Sequence, residues 1–186
     1  EQLQKRRISE KTNEFYRIYR HGNTLRFPYY DESGRVVGFK IKTKSKDFHY
    51  EGATAPCLFG QHLFPTSGKR IVITEGELDA ASCYEVMSGW PMVSLPHGAA
   101  AAKKDLQKAI PFLQGYQEIV LFFDNDEAGR EAVESASSIL PAGRVKIARL
   151  DAYKDASDAL QAEDREALRR AIWDAKPYRP DGIVDG

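Results

Sequence analysis

Acidic side chains follow three of the strands that the sequence predicts, each at the point where a strand ends. In an open parallel α/β sheet, ligands bind beyond the carboxyl ends of the strands, so these acids would meet at one edge of the sheet. They are Glu75 and Asp79 after the first strand, Asp124 and Asp126 after the third, and Asp155 after the fourth. Converging carboxylates repel one another, and a hard divalent cation relieves that repulsion. The pattern therefore predicts a magnesium site.

The predicted metal platform is Glu75, Asp124 and Asp126, with Asp79 and Asp155 closing the ring or acting through water. A simpler alternative is that acids after strands cap helix N-termini, which stabilises a helix by about 0.3–1 kcal/mol each. That alternative stays open for any single acid. Capping needs one short acid per helix, however, and does not explain several acids at one edge. We therefore favour the metal site for the set as a whole.

The elements that must position these acids alternate between strand and helix from residue 69 onward. Continuous apolar runs predict strands at 71–74, 92–95, 119–123 and 145–150. Helical spacing predicts helices at 76–87, 99–112, 127–140 and 164–175. Such alternation is typical of an α/β fold, with a parallel sheet covered by helices on both faces.

The chain before residue 69 has β character. Strands are predicted at 25–30, 36–41 and 48–50, after a short helix over 9–16 that has Ser9 as its N-cap. The predicted organisation is a small, basic, mainly β subdomain at 1–68, the α/β domain at 69–175 and a C-terminal tail at 176–186.

Basic residues are concentrated in the first part of the chain. Residues 1–50 carry 12 Lys and Arg against 6 Asp and Glu, although the whole chain has a formal net charge of zero. Four of these cations occupy every second position and would line one face of a strand: Lys40, Lys42, Lys44 and Lys46. They could protect a sheet edge from aggregation. Beside a carboxylate site we favour a groove for a polyanion, with Arg26 and Arg35 contributing, whose affinity falls with salt.

Further polar and aromatic residues are candidate site residues, and the sequence leaves two alternative roles open for each. His97 follows a predicted strand and either contacts a bound ligand or hydrogen-bonds locally, and Lys103 and Lys104 lie one to two turns beyond it. Arg130 could reach a phosphate or pair with a nearby acid. Three aromatic residues could stack on planar groups of a ligand, although aromatic residues in strands more often belong to the core: Tyr29, Tyr30 and Phe48.

Composition excludes several other classes of protein. Hydrophobic residues make up 42% of the 186 residues and charged residues 29%, which is typical of a globular chain and not of a disordered one. Two cysteines are too few for a disulfide framework or a structural zinc site. No apolar run approaches the roughly 18–20 residues of a membrane-spanning helix. No secretory leader is visible and the first residue is Glu1, so we expect an excised piece of a longer protein.

Two motifs carry a resemblance to a known family. Thr-Glu-Gly-Glu-Leu-Asp at 74–79 and Phe-Asp-Asn-Asp-Glu-Ala-Gly-Arg at 123–130 resemble the TOPRIM domain of bacterial-type primases, type IA and II topoisomerases, certain nucleases and recombination mediators. Residues 25–28 and 34–40 are similar to the basic strand pair that precedes TOPRIM in primases. Three internal segments and the C-terminal one resemble the primase half of the primase–helicases of T-odd coliphages: 58–63, 94–104, 140–145 and 178–184.

The resemblance implies a Rossmann-like TOPRIM fold and an enzyme that joins ribonucleotides on a single-stranded DNA template. It implies that Mg²⁺, with Mn²⁺ as a substitute and two ions in the site, supports catalysis by Glu75, Asp79, Asp124 and Asp126. It also suggests Glu75 as proton acceptor from the attacking hydroxyl. The polyanion expected in the basic groove would then be template backbone or triphosphate, the ligand near His97 a nucleotide, and the planar groups bases. The alternatives are a TOPRIM nuclease and a DNA-binding head of a replicative helicase that synthesises nothing.

Relatives of this kind carry a zinc-binding module upstream and a helicase motor downstream, and the full-length protein would be a ring oligomer. Neither the zinc module nor a Gly-x-x-x-x-Gly-Lys-Ser/Thr loop appears here. We therefore expect an RNA-polymerase domain whose partners are template, nucleoside triphosphates and the nascent primer, with no membrane involved. The expected location is the replisome in the cytoplasm of an infected bacterium.

Overall fold

The computed structural model describes residues 5–45, 47–53 and 56–179. The chain begins with helix α1 at Glu10–Tyr16, in which the Ser9 side chain accepts a hydrogen bond from the Thr12 N–H and so caps the N-terminus, as predicted. A four-stranded antiparallel sheet follows. Its strands, in spatial as well as chain order, are β1 at Tyr19–His21, β2 at Thr24–Tyr30, β3 at Val36–Lys42 and β4 at Phe48–Gly52.

The second sheet begins at Gly68. Its strands are β5 at Gly68–Thr74, β6 at Met92–Ser94, β7 at Tyr116–Phe122, β8 at Val145–Ile147 and β9 at Lys176–Pro177. The spatial order is β6-β5-β7-β8-β9, and all pairs are parallel except the last. The parallel sheet was predicted, whereas the antiparallel edge strand β9, two residues long, was not.

Helices connect these strands. They are α2 at Glu77–Val86, α3 at Ala102–Lys108, α4 at Ile110–Leu113, α5 at Glu127–Ser137, α6 at Ala156–Gln161 and α7 at Arg165–Trp173. The single helix predicted over 99–112 is wrong: a 3₁₀ turn at Ala99–Ala101 precedes α3, and α4 starts separately at Ile110. Pro111 explains the break, because its ring removes a backbone donor and fits only the first turn of a helix.

Helices cover both faces of the parallel sheet, as predicted. Val72 and Val120 belong to the hydrophobic cluster that includes α2, α6 and α7. Ile73 and Leu121, on the opposite face, belong to the cluster that includes α3, α4 and α5. These strand residues are at most 1% exposed, which explains why their sequence is continuously apolar.

The antiparallel sheet packs on the same side as α2. Leu25, Phe27 and Tyr29 of β2 belong to the cluster that contains the α2 residues. The connecting segment adds a further link, because Phe59 exchanges backbone hydrogen bonds of 3.0 and 3.2 Å with Ser94 at the free edge of β6. No helix among the described residues has the length and apolar character needed to cross a lipid bilayer.

Candidate active site

Three carboxylates converge at the carboxyl end of the parallel sheet. One oxygen from each of Asp79, Asp124 and Asp155 lies within 4.8 Å of the others. Asp79 is on the first turn of α2, Asp124 lies just beyond β7, and Asp155 is the residue before α6. We call these three residues the acid triad. The predicted convergence of acids from three separate segments is therefore observed.

Glu75 lies beside the triad rather than within it. Its Oε1 accepts a hydrogen bond of 3.3 Å from the Asp124 N–H. Since Glu75 directly follows β5, the neighbour of β7 in the sheet, the parallel pairing itself places it next to Asp124.

Asp126, which was predicted as a metal ligand, makes a helix-capping contact. It is the N-cap of α5, and its Oδ1 accepts a hydrogen bond of 2.7 Å from the Gly129 N–H. Its other oxygen lies 3.9 Å from Lys154 Nζ. The structure thus gives Asp126 the capping contact that the sequence left open, and does not place it among the three converging oxygens.

Backbone donors hold two members of the triad in place. The Ser157 N–H donates to Asp79 Oδ1 at 2.9 Å, and the Asp158 N–H donates to Asp155 Oδ1 at 2.8 Å. Both donors belong to the first turn of α6, where N–H groups have no partner within the helix. This short helix, which sequence periodicity missed, therefore orients acids from two different elements.

The loop that carries Asp124 is fixed by close packing. The Asn125 side chain donates to the Leu150 carbonyl at 2.9 Å, and the Asn125 N–H donates to the Lys154 carbonyl at 2.6 Å. A Cβ atom at Gly129 would lie 2.0 Å from the Asp124 carbonyl oxygen, so only glycine fits there. The glycine of the Asp-Asn-Asp-Glu-Ala-Gly motif thus lets α5 begin directly against the loop.

The proximity of the acids raises their pKa values. Burial, followed by the charges of Asp155 and Glu75, raises the pKa of Asp79 to about 8. Burial, followed by the charges of Asp79, Glu75 and Asp155, raises the pKa of Asp124 to about 9. Burial also raises the pKa of Glu75 and of Asp155. Without a cation, protons therefore neutralise part of the cluster near pH 7.

Lys40 does not line an open groove, and this part of the prediction is wrong. Its Nζ lies 2.9 and 3.1 Å from the two oxygens of Glu77 and donates to the Pro96 carbonyl at 3.0 Å. The Tyr29 hydroxyl donates to the same carboxylate at 2.8 Å, and Lys40 is 6% exposed. Tyr29 is buried too, so neither residue is open to a base or a phosphate.

Among the described residues, the predicted lysine face does not continue past Lys42. Strand β3 ends at Lys42, and Lys44 lies in the turn that follows it. Lys46 lies outside the described residues. Lys42 itself faces the site, because it lines a cavity of about 90 Å³ together with Asp79 and Asp155. Lys42 is thus a cation beside two of the acids.

The predicted arginines lie elsewhere on the antiparallel sheet. Arg26 alternates along β2 with Leu25 and Phe27, so its side chain points to the face opposite the one that carries Lys42. There it pairs with Glu51. Arg35 is exposed beside the turn between β2 and β3. Neither arginine joins Lys42 in a single groove.

His97 makes a local hydrogen bond, which was one of the two alternatives predicted for it. Its Nδ1 lies 3.0 Å from Oδ2 of the buried Asp105. Lys103 and Lys104 are exposed on α3.

Tyr30 stacks on His62, with ring centroids 3.6 Å apart. The exposed Arg130 lines a larger cleft, of about 950 Å³, which reaches Asp124 but not the other two acids of the triad.

Sequence reasoning missed residues that complete the site. Arg6 lines the same small cavity as Lys42, and its guanidinium donates to the Ser157 hydroxyl at 2.9 Å. Arg6 and Ser157 are 151 positions apart in the sequence, and no local pattern marks Arg6 as a neighbour of the acids. The sequence marked Glu77 only as part of a motif, although it forms the buried ion pair with Lys40.

Comparison with known proteins agrees with this geometry. Residues 72–160, which contain Glu75 and the whole triad, match the family model described as Toprim-like. The chain is 41% identical, over 84% of its length, to the DNA helicase/primase of Enterobacteria phage T3, of which it spans 28%. The chain thus covers little more than a quarter of that curated relative.

Solved structures give the same relationship. The primase fragment of the bacteriophage T7 primase-helicase protein superposes with a TM-score of 0.86 and 37% identity, covering 92% of this chain and 73% of that one. The T7 primase domain in a complex with lagging-strand DNA polymerase, an RNA/DNA hybrid and dTTP superposes with a TM-score of 0.83 at the same identity, covering 92% of this chain and 89% of that one.

Fold and site together define a Toprim-like class, with a parallel sheet that presents clustered acids at its carboxyl end. Within that class, the chain belongs to the TOPRIM-type DNA primases, in the branch of the phage primase–helicases.

Proposed function

We propose that this chain synthesises RNA primers on single-stranded DNA. In this reaction the 3′-hydroxyl oxygen of one nucleotide forms a bond to the α-phosphorus of a ribonucleoside triphosphate. The bond between the α-phosphorus and the bridging oxygen breaks, and pyrophosphate leaves. The observation that carries the proposal is the acid triad, whose three oxygens lie within 4.8 Å of one another. Two of its members, Asp79 and Asp155, line the same small cavity as a cation, Lys42.

The acid triad fits a divalent cation. Three carboxylates with unrelieved repulsion offer the hard oxygen ligands that Mg²⁺ and Mn²⁺ take. We propose that Asp79, Asp124 and Asp155 hold magnesium, with two ions present during the reaction. When bound, the metal would lower the pKa of the attacking hydroxyl and neutralise charge on the triphosphate.

The protein's own groups supply proton transfer and phosphate binding. Glu75 accepts the proton of the attacking hydroxyl, because its pKa is raised toward the working pH and it lies against Asp124. Lys42 binds phosphate oxygens from the opposite wall of the cavity. Asp126 stabilises the start of α5 and so supports the loop that carries Asp124.

The proposed partners follow from the relatives. In one solved T7 structure, primase domains are bound to an RNA/DNA hybrid and dTTP. By analogy, we propose that template, primer and nucleoside triphosphate meet at the acid triad of this chain. We also propose that this chain acts as part of a longer protein with a zinc-binding module and a helicase motor, assembled as a ring in the cytoplasm of an infected bacterium.

The test is a synthesis assay with Mg²⁺, labelled ribonucleotides and a mixed set of single-stranded templates. We expect products longer than a dinucleotide. Asp124→Asn should reduce synthesis about 100-fold or more, because a metal site contributes several kcal/mol to transition-state stabilisation. DNA binding should be retained.

The matched control is Asp151→Asn, which neutralises an exposed acid near the site but outside the triad. It should leave synthesis within about twofold of wild type. Shortened template without new product would instead indicate a nuclease. DNA binding with neither synthesis nor cleavage would indicate a DNA-binding head.

A further inference from the structure

One aromatic ring beside the acid triad is open to solvent although it belongs to a strand. Phe48, the first residue of β4, is 49% exposed. Phe27 and Tyr29, on the same face of the same sheet, are at most 2% exposed. An exposed apolar side chain is common on protein surfaces, so exposure alone decides nothing. The position of the ring is what makes it informative.

The register of the sheet points Phe48 toward the active site. Phe48 pairs directly with Lys42, and residues opposite each other in an antiparallel pair project from the same face. Phe48 lines the cavity of about 90 Å³ that Lys42, Asp79 and Asp155 also line. An aromatic face, a cation and two metal-ligating acids thus surround one opening.

The ring is held by charged neighbours and not by an apolar core. Lys40 Nζ lies 4.5 Å from the centroid of the Phe48 ring, and Lys42 Nζ lies 5.8 Å from it. Both contacts are within the range of a cation–π interaction. Since Lys40 is fixed by Glu77, it holds the ring in a defined orientation without covering it fully.

We propose that Phe48 stacks against the base of the ribonucleoside triphosphate that enters this cavity. The inference rests on the proposed function and adds a residue that positions the substrate. A cavity of about 90 Å³ is too small for a whole nucleotide, so the phosphates occupy it and the base lies at its mouth. Every base has a π-face, so stacking there accepts all four nucleotides, as a polymerase requires.

The experiment compares Phe48→Ala with Phe48→Trp in primer synthesis. The alanine variant should raise the KM for each of the four nucleoside triphosphates about 5- to 100-fold, the range expected for losing one base–aromatic stack. Its kcat should stay within about twofold, because the base contact is made equally before and during the reaction. The tryptophan variant should restore a KM near that of wild type.

The matched control is Tyr19→Ala. Tyr19 is an aromatic residue with 50% exposure on β1, the opposite edge strand of the same sheet, and it projects from the other face. Its removal tests whether loss of any exposed ring from this sheet impairs the enzyme. The KM for nucleoside triphosphates should be unchanged in this variant.

A second readout, independent of synthesis, is the Kd for ATP with Mg²⁺ and no template, measured by calorimetry. Weaker binding in Phe48→Ala and recovery in Phe48→Trp would support the proposal. It would be overturned by an unchanged Kd and KM, by a tryptophan variant as weak as the alanine one, or by a change confined to template affinity. Wild-type protein that binds ATP through Phe48 but makes no primer would contradict the proposed function and leave the stacking intact.

Discussion

At the scale of single residues, the site depends on acids whose ionised forms are unfavourable in their surroundings. Asp79 is 7% exposed and faces two other carboxylates, so its ionised form is opposed both by burial and by like charge. A single hydrogen bond from the Ser157 N–H offsets part of that cost. Residues of this kind reduce stability and are retained where a ligand needs them.

Because ionisation of Asp79 is unfavourable in the fold, we predict that the stability of the metal-free protein depends on pH. The pKa of Asp79 is 3.8 in a model compound and about 8 in the fold. Between these values the folded state holds a proton that the unfolded state has released, so the contribution of Asp79 to stability falls as pH rises from about 4 to about 8. Asp79→Asn never ionises, so its stability relative to wild type should increase by more than about 1 kcal/mol between pH 5 and pH 9.

Urea unfolding in EDTA at the two pH values measures this difference. The control is again Asp151→Asn, which should show no pH-dependent gain. The same stability difference between wild type and Asp79→Asn at both pH values would mean that Asp79 ionises without penalty and that the acid triad is not strained.

At the scale of elements, a buried ion pair connects the antiparallel sheet to helix α2. Lys40 of β3 and Glu77 of α2 are 8% and 4% exposed at their side chains, and the Tyr29 hydroxyl completes the coordination of the carboxylate. Breaking a buried pair leaves one charge without a partner in a medium of low polarity. The pair therefore fixes how the antiparallel sheet sits over the acid triad.

Lys40→Met should accordingly destabilise the protein by about 3–5 kcal/mol, because Glu77 would lose its counter-charge. The comparison is Arg169→Met, which removes one of the two arginine partners of Glu166 on the exposed surface of α7 and should cost less than about 1 kcal/mol. Urea denaturation midpoints measure both. A loss for Lys40→Met no larger than that for Arg169→Met would contradict a structural role for the buried pair.

The elements also show how far sequence reasoning reaches. Strands such as β5 and β7 could be predicted, because their burial on both faces makes them continuously apolar. Helix α6 could not, since six residues are too few for a helical period to stand out. Lys40 was misassigned because alternation identifies a face of a strand but not what packs on that face.

At the scale of the whole molecule, the fold brings distant segments together at one edge. The sequence indicated that acids would gather after the strands, since the carboxyl ends of parallel strands share an edge. It could not indicate which oxygens would meet, because Asp79 and Asp155 depend on the packing of α6 near α2. Arg6 reaches the same place from the other end of the chain. The active site is therefore a property of the assembled fold.

Crystals soaked with Mn²⁺ test the central claim most directly, because anomalous difference density locates the metal without any assay of activity. The predicted result is at least one strong peak coordinated by oxygens of Asp79, Asp124 and Asp155, lost in Asp124→Asn. Absence of a peak at saturating Mn²⁺, or a peak bound only by Asp126 or by acids outside the triad, would contradict the proposal that these three carboxylates form the metal site of a primase.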